Sequence, residues 1–218
     1  MTQTGNPFTM PIRERFGRRF GQLQLGLVAY GLSLALMIEA GLGLSPWDVL
    51  HQGLALRSGL SIGTVLIVVG VFVLLLWIPL RQVPGIGTVS NALVVGLAVD
   101  AGLFLLPTPE PLLARIAFLL AGVLGNGVAT GLYIGARLGP GPRDGLMTGY
   151  VARFGRSIRL VRTVIEVSVL VIGFLLGGTA GVGTLVYAFG IGPLAHVFIP
   201  MFTVHPRPTA AGTPTGAP

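Results

Sequence analysis

Residues 135–156 read "GARLGPGPRDGLMTGYVARFGR", and they place two prolines, four arginines and an aspartate in a chain that is otherwise rich in Leu, Val, Ala and Gly. A second stretch with the same outline, "GLGLSPWDVLHQGLALRSGL", occupies residues 41–60. The Pro-x-Asp cores of the two stretches begin at Pro46 and Pro142 and lie 96 positions apart. This echo predicts that one structural unit is used twice.

The offset of 96 holds without a gap from Arg19, aligned with Arg115, to Asp100, aligned with His196. Apolar chains match by accident, so the polar and proline identities carry the argument; they are Pro46/Pro142, Asp48/Asp144, Arg57/Arg153, Ser61/Ser157 and Thr88/Thr184. We therefore divide the chain into an N-terminal arm (1–18), a first repeat (19–106), a second repeat (107–203) and a tail (204–218). The Pro, Ala, Gly and Thr content of the tail predicts disorder.

Composition places the repeats in a membrane. The chain is 52% hydrophobic and 10% charged, with a mean hydropathy of +0.84, whereas soluble domains are about a quarter charged. A spanning helix needs about 20 apolar residues. Six such segments are predicted, at about 20–40, 61–80, 88–106, 113–135, 160–176 and 183–203.

An odd number of spans per repeat predicts that the second repeat is inverted in the membrane, which is a recurring transporter architecture. With the N-terminus in the cytoplasm, every arginine except Arg57 and Arg115 falls on the cytoplasmic side, in agreement with the positive-inside rule. The predicted fold class is an all-α polytopic membrane protein with six transmembrane helices in two inverted three-helix repeats. We expect the bacterial plasma (inner) membrane, with both termini cytoplasmic and the bilayer as partner. The net charge of +7 fits this topology better than it fits nucleic-acid binding.

Each Pro-Asp stretch predicts a short helix. Ser45 is the expected N-cap, with Pro46 in the first helical position and Asp48 in the third, and Pro142 and Asp144 repeat the pattern. Two arrangements fit this pattern. The helices are either well-capped interfacial connectors or re-entrant halves that dip into the membrane, where irregular backbone survives only against protein or water. In the second case their tips line a cavity.

A few further polar residues lie within the predicted spans, where charges usually face the bundle interior. Asp100 and His196 hold equivalent repeat positions, and inversion places them about 10 Å apart along the membrane normal. The alternative for each residue is a structural role, as a polar group of the core whose hydrogen bonds are made within the protein. The candidate pathway or structural-break residues are Glu39, Ser45, Pro46, Asp48, Asp100, Pro142, Asp144, Glu166 and His196. A glycine stripe at Gly127, Gly131 and Gly135 fits either packing inside the bundle or a homodimer face.

No catalytic, cofactor or metal motif is present in the sequence, and the chain has no cysteine. We expect no enzyme, since an activity on lipid head groups through Asp48 or Asp144 is the weaker hypothesis. A permease or small channel for an unidentified small solute is the first hypothesis, supported by the repeated polar breaks. A membrane scaffold or regulator that uses the Arg-rich 137–162 face is the second.

The motifs "GLGLSPWDVLHQGL" and "GARLGPGPRDGLMTGY", followed by "PGIGT" and "AGVGT", resemble the YczE-like family of bacterial integral membrane proteins, which is grouped with YyaS- and YitT-type proteins. The resemblance covers about residues 19–200. It implies a multi-span inner-membrane protein, and it carries over no catalytic or binding residue.

Overall fold

The structure is a computed structural model that describes residues 13–205, and this part of the chain is helical without any strand. Most of the N-terminal arm and of the tail, including Arg207 and the predicted disorder, lies outside the described residues. The helices are α1 (Phe16–Ala40), α2 (Pro46–Ser58), α3 (Ile62–Leu80), α4 (Ile86–Leu105), α5 (Leu112–Gly135), α6 (Pro142–Phe154), α7 (Ile158–Leu175) and α8 (Val182–Phe202).

The last four helices repeat the first four at the offset found in the sequence. Helices α2 and α6 correspond at both ends, and each of the other three pairs begins at aligned residues and ends within one residue of correspondence. Similar local signals explain the agreement: Pro46 and Pro142 both open a helix, while Gly59 and Gly155 both end one with a positive φ. The repeat therefore extends from residue identities to helix boundaries.

Five helices, α1, α3, α4, α5 and α8, are long and apolar enough to cross a membrane. The predicted fifth span is also a helix, α7, but its 18 residues include Arg159, Arg162 and Glu166. Three charged side chains within 18 residues set it apart by composition, because each of the other five has an 18-residue stretch with two or fewer. Helices α2 and α6 have 13 residues each and are too short to span.

Helices α1 and α5, the first of each repeat, pack against each other in antiparallel directions. The guanidinium of Arg19, near the start of α1, donates to the carbonyl oxygens of Ala136 (2.9 Å) and Arg137 (2.8 Å) at the end of α5. Arg115, near the start of α5, does the same for Ala40 (2.7 Å) and Gly41 at the end of α1. Each arginine satisfies carbonyls that a helix C-terminus leaves unpaired.

Other contacts between helices also come in matched pairs. Helix α1 packs on α4 and α5 packs on α8, while α2 lies against α7 and α6 against α3. Glycines allow the close approaches: a Cβ on Gly31 would lie 2.5 Å from the Cβ of Ala98, and one on Gly127 would lie 2.6 Å from the Cβ of Leu194. The other glycines of the α5 stripe, Gly131 and Gly135, also lie against α8. This stripe therefore packs inside the bundle.

One pair of contacts breaks the match. Helix α3 packs along α4, where a Cβ on Gly63 would lie 2.1 Å from the carbonyl oxygen of Gly96. Helices α7 and α8 hold the equivalent positions, yet they barely touch. Arg159 stands where α3 has Gly63, and a Cβ on Gly192 would meet nothing within 4 Å. A long charged side chain in place of a glycine keeps the two helices apart.

Candidate functional site

The first turn of α2 holds a buried polar cluster. Ser45 is the N-cap and its hydroxyl oxygen accepts from the backbone N–H of Asp48, as the sequence predicts. The Asp48 carboxylate also bonds the Ser45 hydroxyl, and one of its oxygens lies 3.2 Å from His51 Nδ1. Ser45, Asp48 and His51 are each at least 97% buried. Such a cluster is stable only if its polar groups are paired.

Arg143, from the first turn of α6, reaches this cluster. Its Nη2 lies 3.5 Å from Asp48 Oδ1, and its guanidinium carbon lies 5.0 Å from the centroid of the Trp47 ring. Arg143 and Trp47 hold equivalent repeat positions. The carbonyl of Pro142 accepts from the Trp77 indole N–H at 3.0 Å. The tips of α2 and α6 therefore meet through an ion pair and a cation–π contact.

Asp144 holds the position in α6 that Asp48 holds in α2, but its surroundings differ. The hydroxyl of Tyr133 donates to its carboxylate at 3.0 Å. Gly141 replaces Ser45 at the N-cap, so no side chain caps α6. Within residues 13–205, no arginine or histidine nitrogen lies within ion-pair distance of Asp144. Asp48 is thus an ion-paired carboxylate and Asp144 a hydrogen-bonded one.

Both helix tips line one cavity of about 350 Å³, to which all eight helices contribute. One lining residue from each helix, in the order α1 to α8, is Tyr30, Pro46, Leu66, Asn91, Thr130, Pro142, Arg162 and Tyr187. Small-molecule sites are commonly of this size, largely apolar and supplied with a few convergent polar groups. Helices α7 and α8 both line the cavity although they barely touch each other.

The two repeats give this cavity unlike walls. The second repeat contributes Arg143, Asp144, Arg162 and Glu166. Leu66 and Gly70 stand at the positions of Arg162 and Glu166 in the first repeat. Arg162 and Glu166 bond each other at 2.8 Å with one turn of α7 between them. The arginine and carboxylate side chains that line the cavity therefore all belong to the second repeat, while both repeats contribute aromatic rings.

The structure sorts the predicted site residues into two groups. The cavity is lined by five of them, Ser45, Pro46, Pro142, Asp144 and Glu166. Asp48 does not line it but forms an ion pair with Arg143, which does. The other three lie elsewhere.

Each of these three has a different environment. Glu39 accepts from the hydroxyl of Thr108 at 2.5 Å. Asp100 accepts from the Ser61 hydroxyl (2.6 Å) and the Gly63 N–H (2.8 Å), so it fixes the start of α3 to α4. His196 is exposed on α8, where α7 does not reach it.

Several cavity residues were not among the sequence candidates. The positive-inside rule already accounted for Arg143 and Arg162, so the sequence offered no separate reason to place them at a cavity. Tyr30, Tyr133 and Tyr187 carry no sequence signal beyond their rarity in the chain. The one available clue was the exchange of Trp47 for Arg143 between otherwise similar stretches.

Two buried donors in the described part of the chain have no hydrogen-bond partner, Trp47 Nε1 and Asn126 Nδ2. Trp47 lines the cavity. A buried unpaired donor is rare, and a bound water or an occupant that carries an acceptor atom completes its hydrogen bonding. Residues 13–205 bring together no group of three His, Cys, Asp or Glu side chains that suits a metal ion.

Comparison with known proteins gives a family and no described activity. Residues 17–200 match DUF6198, a family of unknown function. An uncharacterized protein of Haemophilus influenzae is 40% identical over 177 residues, which are 81% of each chain. The Bacillus subtilis "uncharacterized membrane protein YczE" is 32% identical over 175 residues, covering 80% of this chain and 81% of that protein.

A third relative, the B. subtilis uncharacterized protein YyaS, is 29% identical over 185 residues, covering 83% of this chain and 92% of YyaS. No solved structure shows a significant match.

Proposed function

The chain belongs to the YczE-like family DUF6198 and is a multi-pass membrane protein, and from that premise we propose that it is a permease for a small solute. The observation that supports this most directly is the single cavity into which both short helices, α2 and α6, project their N-termini. Scaffold proteins have no need of a polar cavity lined by every helix. Transporters built from repeats bind their substrate at the repeat interface, often at broken helices.

The proposal includes a membrane arrangement. Helix α7 is the sixth span, because its Arg162–Glu166 pair faces the cavity and leaves valines and leucines toward lipid. The two three-span repeats are inverted, which the antiparallel packing of α1 and α5 supports. Helices α2 and α6 are then re-entrant, one from each face. The membrane is the bacterial plasma membrane and both termini are cytoplasmic.

The two-sided access that a permease requires provides the test. A Cβ on Gly141 would lie 3.3 Å from Asp144 Oδ2 and 3.6 Å from Asn91 Nδ2, so a cysteine there points at the cavity's polar groups. The chain has no native cysteine. Gly141→Cys and its repeat equivalent Ser45→Cys are reconstituted in vesicles and treated with a membrane-impermeant thiol reagent from each side.

We expect Gly141→Cys to react from both sides, because the cavity opens alternately to each. Ser58→Cys at the exposed end of α2 and Ser157→Cys on the exposed connection before α7 serve as one-sided controls. Reaction of Gly141→Cys and Ser45→Cys from a single side only, with both controls behaving as one-sided, contradicts a permease. It would favour the scaffold or regulator, whose exposed Arg153, Arg156 and Arg159 offer a basic surface. Under the permease proposal the protein catalyses no chemical reaction.

A further inference from the structure

We propose that the cavity binds an organic ammonium ion and that Asp144 is its counter-ion. The inference rests on the proposed function only for the role of this ion as transported solute; binding itself is a separate property of the cavity. Three features of the site lead to it: the balance of charge, the surroundings of Asp144, and the prolines that remove donors from the two helix N-termini.

The carboxylates at the cavity outnumber the arginines by one. With His51 counted as neutral, the cavity region contains two arginines, Arg143 and Arg162, and three carboxylates, Asp48, Asp144 and Glu166. Arg143 is matched by Asp48 and stacks on Trp47, and Arg162 is matched by Glu166 at 2.8 Å. The remaining carboxylate is Asp144. An occupant with a single positive charge completes the set, whereas an anion must displace an existing partner of an arginine.

Aromatic side chains surround the position that such a cation would take. Tyr133 bonds Asp144 directly, and its ring lies edge-on to Tyr30 with centroids 5.9 Å apart. Trp47 and Tyr187 line the same cavity. The faces of these rings attract cations, and the attraction strengthens where water is excluded. A carboxylate beside several aromatic rings is suited to an ammonium group with apolar substituents.

Helix N-termini often bind anions, but these two are poorly equipped for it. Pro46 and Pro142 occupy the first helical position of α2 and α6, where a proline has no N–H to donate. In α2 the Asp48 N–H is already bonded to Ser45, so Trp47 is the remaining N–H donor before Asp48 in that first turn. The partial positive charge of each terminus, about half a unit, is opposed by an aspartate in the same turn. Each terminus therefore offers an anion fewer donors than a helix start without proline, and α2 offers fewer than α6.

The test uses the full-length protein in detergent and three probes of matched shape: 2-phenylethylammonium, the neutral 2-phenylethanol and the anion phenylacetate. Binding is measured by titration calorimetry and by the emission of Trp47 and Trp77. We expect the cation to bind about tenfold more tightly than the alcohol, the scale of one cation–π and ion-pair contact. Asp144→Asn should bring the two affinities to within about twofold, since it keeps the shape of the side chain and removes only the charge.

Asp100→Asn is the matched control. It changes a hydrogen-bonded aspartate of the other repeat that lies outside the cavity, and it should leave the preference for the cation intact. Equal binding of cation and alcohol by the wild type, absence of cation binding, or tighter binding of phenylacetate would each overturn the inference. So would a preference that survives Asp144→Asn. None of these outcomes affects the two-sided access of Gly141→Cys, so this inference and the permease proposal can fail separately.

Discussion

Arg143 occupies the position that Trp47 holds in the first repeat, and the two side chains contact each other across the repeat interface. Because one repeat has an aromatic ring and the other a cation at this position, the two equivalent side chains attract each other. Arg143 also places a cation next to Asp48, whose carboxylate is buried. Buried ion pairs contribute little net stability but are costly to break from one side. Asp48 and Arg143 are therefore expected to be energetically coupled.

A double-mutant cycle measures this coupling. Asp48→Asn and Arg143→Gln should each lower the free energy of unfolding, and the double variant should recover about 1 kcal/mol of the summed loss, because neither change then leaves an unpaired buried charge. Thermal unfolding in detergent supplies the values.

The half-exposed pair Arg162 and Glu166 provides the control cycle. Glutamine at both of those positions should give a coupling below about 0.5 kcal/mol, as for exposed pairs on helices. Strict additivity at Asp48 and Arg143 would show that their contact is incidental.

Residues whose partners lie close in sequence were predictable. The Ser45 cap of α2 follows from the local pattern "SPWD" and is observed. Arg19 and Arg115 were visible as an aligned pair, but their bonds to the opposite repeat's helix end were not. Those bonds join residues more than 70 positions apart, and only the antiparallel packing of α1 and α5 brings them together. The bonds of Asp100 to Ser61 and Gly63 at the start of α3 also join distant positions, 39 and 37 residues apart, so the sequence did not show them.

At the scale of the element, the clearest difference is between the α3–α4 contact and the open α7–α8 pair. Gly96 and Gly192 hold aligned positions within α4 and α8, and they differ in what surrounds them. A Cβ on Gly96 would lie 2.5 Å from the carbonyl oxygen of Gly63, whereas a Cβ on Gly192 would meet nothing within 4 Å. The same small substitution is therefore expected to disturb packing at Gly96 and to leave it unchanged at Gly192.

Alanine at these positions provides a matched comparison. Gly96→Ala should lower the free energy of unfolding by about 2 kcal/mol, because it forces backbone apart in a packed contact. Gly192→Ala should change it by less than about 0.5 kcal/mol, with a small gain from helix propensity opposing any loss. Thermal unfolding of both variants under identical conditions is the measurement. Equal destabilisation would mean that α8 is as closely packed as α4.

The sequence predicted the elements better than it predicted their packing. Hydropathy located six of the helices to within a few residues, and the Pro-Asp motifs located the first residues of α2 and α6. Ala92 and Gly96 in α4 form a small-residue stripe that Ala188 and Gly192 repeat in α8, a pattern typical of close packing. Of these two helices, only α4 packs on the helix that precedes it in the chain. The deciding residue, Arg159 in place of Gly63, lies on the partner helix. A stripe shows that a helix can be approached closely, and it does not identify the helix that approaches.

For the whole molecule, the number of membrane spans, five or six, decides whether the second repeat is inverted relative to the first. Helix α7 carries Arg159, Arg162 and Glu166, which exclude it by composition from the candidate spans. Two of these side chains form an ion pair at the cavity wall, so they need not face lipid. Pairing of this kind is the usual way in which intramembrane charges are accommodated. We therefore expect α7 to cross the membrane.

Reporter fusions test this expectation, because the two span counts predict different sides for the same positions. With six spans, fusions at Thr108 and Thr179 both report the periplasmic side and a fusion after His205 reports the cytoplasm. With five, when α7 does not cross, Thr108 remains periplasmic, but Thr179 becomes cytoplasmic and the end of α8 periplasmic. Thr108 thus serves as the internal control, and Thr179 and His205 must change sides together. A cytoplasmic Thr179 would leave the second repeat with two crossings, remove the inversion, and withdraw the main architectural support for a permease.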